Sequence, residues 1–126
     1  MDPVSQIFSA VGGSDEPFVR LVDEFYTRVE QDALLRPLYP DDLQEPKRKL
    51  YLFLIQRCGG KTTYSDERGH PRMRMRHMPF PIGIPERDAW LRNMGAAMDS
   101  VPEFAAQRET LDAYFVEFAT FLMNKA

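Results

Sequence analysis

Apolar side chains recur along this chain in steps of three and four. Phe18, Leu21, Val22, Phe25, Tyr26 and Val29 form one helix face over about four turns. Ser14 is placed to cap that helix, and Pro17 falls in its first turn, where a missing amide is harmless. Upstream, residues 4–11 predict a short apolar helix. Gly12-Gly13 stops it, because a glycine pair permits a left-handed reversal. Leu34, Leu35, Leu38 and Tyr39 predict one short apolar turn before Pro40. A helix that opens near Pro46 and stops at Gly59-Gly60 has Leu50, Phe53 and Leu54 on one face, widened by Tyr51, Leu52 and Ile55. The polar, turn-rich residues 61–71 predict an ordered loop. The run RMRMRHMPFPIGIP then allows at most about two helical turns before its prolines break the helix. Two final stripes follow, Trp90, Met94, Ala97, Met98 and Val101, then Leu111, Tyr114, Phe115, Phe118 and Leu122. Strand alternation and hairpin turns are missing, so the pattern predicts an all-α fold.

Composition narrows the chemistry. The 126 residues, 44% hydrophobic and 28% charged, suit one domain spanning residues 1–126. No apolar run approaches the ~20 residues of a membrane span, and the N-terminus lacks the basic start of a secretory signal. A cytoplasmic protein is the expectation. The one cysteine, Cys58, cannot close an internal disulfide and reads as a small buried hydrophobe. With two histidines besides, a four-ligand Cys/His zinc site is out of reach. Sixteen basic against 19 acidic residues, a net charge of −3, argue against nucleic acid as the partner. Catalytic signatures such as GxSxG, HExxH, GxGxxG or a P-loop are not found, so a bound cofactor is the economical source of reactivity.

The segment Arg72-Met73-Arg74-Met75-Arg76-His77 offers one imidazole beside cations and soft apolar surface. Haem asks for that combination, an axial nitrogen, an apolar slot and positive charge for two propionates. The plainer alternative is a capping or surface histidine, with Arg72 and Arg74 on a solvated face. Tyr26, Tyr39 and Trp90 each put a polar atom on an apolar body, and such donors favour a partly negative oxygen ligand. Alone, each would bond to a backbone carbonyl or water. His70 is the competing ligand, but it lies in GHPR, where the following proline disfavours helix.

The strings VGG, FVRLVDEFYTRV, LYPDDL, the GG after the long helix, TYSDERGHPRMRMRHMPF and ERDAWLRNM make a specific pattern. In order and spacing the chain resembles the group II (O-type) truncated haemoglobins over nearly its whole length. That resemblance implies a truncated globin, a two-over-two helical sandwich around haem b. It implies His77 as proximal iron ligand and Tyr26, Tyr39 and Trp90 as distal donors. Leu50 corresponds to the residue over the distal face, with Phe53 and Leu54 on the next turn, and Lys49 and Arg76 to cations facing the propionates. The gate position falls on Pro46, which donates no hydrogen bond. The expected function is binding of dioxygen, nitric oxide or other diatomic ligands at pentacoordinate iron. Redox chemistry of the nitric oxide dioxygenase or peroxidase kind, with a separate reductase as electron donor, fits better than bulk oxygen transport. An oxygen sensor or store, a haem-free helical interaction module and a homodimer stay open at this point.

Overall fold

A glycine reversal sets the entrance to the fold in the computed structural model, which describes residues 2–125. A 3-10 turn (Val4–Gln6) runs into α1 (Ile7–Ala10), and Gly12 and Gly13, at φ 112° and 70°, turn the chain back. α2 (Glu16–Val29) follows and buries Phe18, Leu21, Val22, Phe25, Tyr26 and Val29, the whole predicted stripe. Ser14 Oγ accepts the Glu16 amide at 3.2 Å, so it caps from one residue further out than the N-cap itself.

A 3-10 turn (Arg36–Leu38) leads to α3 (Gln44–Arg57). After α3 the chain makes α4 (Thr63–Arg68), α5 (Met73–His77), α6 (Ile84–Asp99), a 3-10 stretch (Pro102–Gln107) and α7 (Arg108–Phe121). No strand occurs among the described residues. α2 packs against α3 and α6, and α6 against α7, so the pair α2/α3 is joined to the pair α6/α7 through α2 and α6. This is the two-over-two sandwich. Burying each large apolar side chain of its core contributes roughly 1.5–3 kcal/mol, set against the entropy of ordering it.

Two places differ from the sequence expectation. Residues 61–71 are not all loop: α4 lies within them, because Tyr64 is buried edge-on against Phe53 with ring centroids 5.6 Å apart. Gln56 then fastens the helix, donating to Ser65 Oγ at 2.8 Å and accepting the Ser65 amide at 3.0 Å. The 3-10 stretch before α7 also carries no predicted role, yet its Phe104 is 1% exposed and meets Phe18 edge-on at 5.2 Å.

The end of α3 is held by the N-terminal segment. Phe8 donates its amide to the Cys58 carbonyl at 2.8 Å, and Gly59, at φ 95°, lies so close that a Cβ there would overlap the Ser5 carbonyl oxygen.

Candidate cofactor cleft

α2, α3, α4, α5, α6 and α7 enclose a cleft of about 370 Å³. That falls within the roughly 300–1,000 Å³ of ligand and cofactor sites. Leu35, Leu38, Leu50, Phe53, Phe118 and Leu122 make much of its wall apolar. His77, Tyr26, Tyr39, Trp90, Pro46, Lys49 and Arg76 line it as well. Leu54 does not. It sits 2% exposed in the core, because α3 is buried on more than one side and Leu54 takes the side away from the cleft.

His77 closes α5, and its neighbours set its ring. Its Nδ1 lies 2.7 Å from the Met73 carbonyl oxygen. A carbonyl only accepts, so Nδ1 carries a proton, while Nε2 makes no hydrogen bond among the described residues. The turn into α5 passes through Arg72 at φ 45°, and the Arg72 amide donates to His70 Nδ1 at 3.2 Å. His70 therefore shapes the turn and does not line the cleft. Beyond His77 the chain is fixed from the far end of the molecule. Asn124 Nδ2 donates to the carbonyls of His77 and Phe80 at 3.2 and 2.7 Å, and its Oδ1 accepts the Ile82 amide at 2.9 Å.

The polar aromatics are gripped by rings. Tyr26, 3% exposed, meets Tyr39 edge-on with centroids 5.3 Å apart and an interplanar angle of 87°. Phe25 touches both Tyr26, at 5.1 Å, and Trp90, at 5.3 Å, and Phe115 holds the other side of the indole at 5.4 Å. Arg36 secures the backbone around Tyr39 by donating to the carbonyls of Tyr39, Pro40 and Asp41 at 3.3, 3.0 and 3.1 Å. Asp32 ties the preceding turn to α6: it accepts the amides of Leu34 and Leu35 at 2.9 and 3.1 Å and the Asn93 side-chain amide at 2.8 Å. Burial pushes the Tyr39 hydroxyl up to about 12, although hydrogen bonding from Tyr26 and Trp90 pulls the other way. Burial, followed by the charge and hydrogen bonding of Tyr39, holds the Tyr26 hydroxyl well above its ordinary value. Both phenols stay protonated at neutral pH and remain able to donate.

Cations gather at the mouth. Lys49 pairs with Glu45 at 3.2 Å, and Arg76 donates through Nε to the Pro71 carbonyl at 2.6 Å and through Nη2 to the Arg68 carbonyl at 3.0 Å. Arg68 and Arg87 also line the cleft, whereas Arg72 and Arg74 do not. Arg74 lies over the Phe121 ring at 5.7 Å. Sequence reasoning overlooks Arg68, Tyr64 and Asn124. Tyr64 carries a signal, as the lone aromatic in a polar stretch, but Asn124 has none, since its partners are distant in sequence.

The donor set fits haem. No group of three or more His, Cys, Asp or Glu side chains could hold a metal ion among the described residues. A metal at His77 would therefore arrive with most of its own ligands, as iron does in a porphyrin. An imidazole with a free Nε2, an apolar slot and a cationic mouth match that group.

The sequence profile of the bacterial-like globins matches residues 6–124. The chain is 48% identical over 118 residues to Group 2 truncated hemoglobin YjbI of Bacillus subtilis, covering 94% of this chain and 88% of that one. The hemoglobin of Chloroflexus aurantiacus superposes with a TM-score of 0.90 at 48% identity, covering 95% of this chain and 98% of that one. The group II truncated hemoglobin of Bacillus anthracis does so at 0.90 and 38%, covering 95% and 92%. Membership of this family implies a haem cofactor and binding of small diatomic ligands. The chain belongs to the bacterial-like globins and, within them, is a group II truncated haemoglobin.

Proposed function

We propose that the chain holds haem b with His77 as the axial ligand and retains dioxygen, nitric oxide or a similar diatomic molecule for redox chemistry. One observation carries this reading: a proton-donating aromatic cluster and an imidazole with a free Nε2 line the same cleft. When bound, haem supplies an iron that takes up diatomic ligands and exchanges electrons. His77 would hold the iron through Nε2, and among the described residues it is the one imidazole that lines the cleft. Tyr26, Tyr39 and Trp90 would donate hydrogen bonds to a ligand that carries partial negative charge, which would slow its escape. Pro46 adds an apolar wall and no donor. Leu50 and Phe53 exclude water, and Lys49 and Arg76 set positive charge at the mouth.

Tight retention suits chemistry more than carriage. Nitric oxide, dioxygen and one electron make nitrate, and the electron comes from a separate reductase. Among the described residues no helix is long and apolar enough to cross a membrane. Stopped-flow mixing of the oxygenated protein with nitric oxide tests the reading. Nitrate formed mole for mole, together with slow oxygen release, is expected. Rapid oxygen release with little nitrate would favour a store or carrier.

A further inference from the structure

Arg68 ends α4 and lines the cleft, and its Nε is buried with no hydrogen-bond partner among the described residues. A buried donor without a partner costs free energy, so something is expected to satisfy it. The neighbouring acid cannot. Glu67 is occupied by Arg48 through two bonds of 2.6 and 2.7 Å. The other cations of the cleft have partners already. Lys49 has Glu45, Arg87 has Asp88 at 3.1 Å, and Arg76 commits Nε and Nη2 to the carbonyls of Pro71 and Arg68. Arg76 and Arg68 thus lie side by side with no carboxylate paired to either among the described residues. The Tyr64 ring, 5.8 Å from the Arg68 guanidinium carbon, supports that group along one side.

We propose that Arg68 is the carboxylate-binding residue of the cleft and takes one propionate of the cofactor, while Arg76 is a staple for the loop before His77. The inference rests on the haem reading above. A guanidinium is a planar fork of donors that matches a carboxylate, and a small turn of the half-buried Arg68 side chain brings its unpaired N–H groups to one entering the cleft. Arg76 commits Nε and Nη2 to backbone carbonyls, so removing it loosens the loop whatever the cofactor carries at its edge.

Haem loss to an excess of acceptor protein tests this, with protohaem and its dimethyl ester each loaded into wild type, Arg68→Met, Arg68→Lys and Arg76→Met. Circular dichroism checks that each variant is folded. Arg68→Met should release protohaem about tenfold faster and the ester at nearly the wild-type rate, the signature of one lost charge-assisted bond. Arg68→Lys should fall between, and Arg76→Met should speed the loss of both haems alike. An equal effect of Arg68→Met on the two haems, or none on either, overturns the assignment of Arg68 alone. A wild-type chain that takes up neither haem overturns the haem reading and this inference together.

Discussion

The carbonyl oxygen of Met73 lies 2.7 Å from Nδ1 of His77, one helical turn away. That bond decides which ring nitrogen is free, and it also orients the ring, as outer partners of ligating histidines do. It depends on α5 keeping its single turn, with Arg72 in the left-handed region at one end and Asn124 bonded to the His77 carbonyl at the other.

Asn124→Ala removes three side-chain bonds to residues 77–82. At roughly 0.5–1.5 kcal/mol each, the variant should lose about 2 kcal/mol of stability. Urea denaturation checks this, and the holoprotein should lose its cofactor faster as well. An unchanged midpoint would mean that the loop holds itself.

Trp90→Phe tests ligand retention. An indole N–H cannot turn round to accept, and rings of Phe25 and Phe115 hold this one, whereas each tyrosine hydroxyl can redirect its proton. A hydrogen bond to a charged group contributes about 1.5–3 kcal/mol, so oxygen should leave the variant at least about tenfold faster. Tyr26→Phe and Tyr39→Phe should change the rate less, because the remaining hydroxyl compensates in part. Stopped-flow dissociation gives the ranking. Wild-type release from Trp90→Phe with fast release from a tyrosine variant would make Trp90 a packing residue.

Burial sets an alkaline limit on the fold. It pushes Tyr39 from 10.0 to about 12 and Cys58 from 9.0 to about 12. Both groups are neutral when protonated, and their raised folded values favour the native state while the proton stays on. Their contribution is complete below the unfolded values and is lost as pH rises through the folded ones. The urea midpoint of the apoprotein should hold steady to about pH 9 and then fall toward pH 12. Tyr39→Phe should flatten part of that fall. Cys58, fully buried, should not react with an aromatic disulfide reagent at pH 8 until the chain is unfolded.

Gly59→Ala places a Cβ against the Ser5 carbonyl oxygen at a backbone φ of 95°. The φ alone costs a non-glycine residue about 1–3 kcal/mol, and backbone overlap adds to it. A lowered thermal midpoint is expected, with faster exchange of the Phe8 amide, whose bond to Cys58 fixes this junction. Gly69→Ala also has a positive φ, but nothing lies within 4 Å of its Cβ, so it should cost less.

Helix faces are legible in the sequence because burial imposes the 3.6-residue period, and every member of the Phe18 to Val29 stripe is buried. α4 is hidden because one tyrosine anchors an otherwise polar turn, and that anchor needs Phe53 from another helix. The cleft is partly legible. Leu50, Phe53 and Leu54 share a stripe, but α3 faces both the cleft and the core, and spacing alone does not divide the three between them. Arg68 and Asn124 escape a linear reading for another reason. What distinguishes Arg68 is the pairing of its neighbours Glu67 and Glu45 with other cations, and Asn124 acts on residues more than forty positions away.

We assign His77 Nε2 as the protein's bond to iron, and the absorption spectrum of two variants reads that directly. Wild type purified with haem should absorb strongly near 400 nm with an imidazole-ligated spectrum. His77→Ala should lose most of the haem or keep it with that signature gone, and added imidazole should restore the signature. His70→Ala, which disturbs only the bond to the Arg72 amide, should match wild type. An unchanged spectrum in His77→Ala, or its loss in His70→Ala, would contradict the assignment.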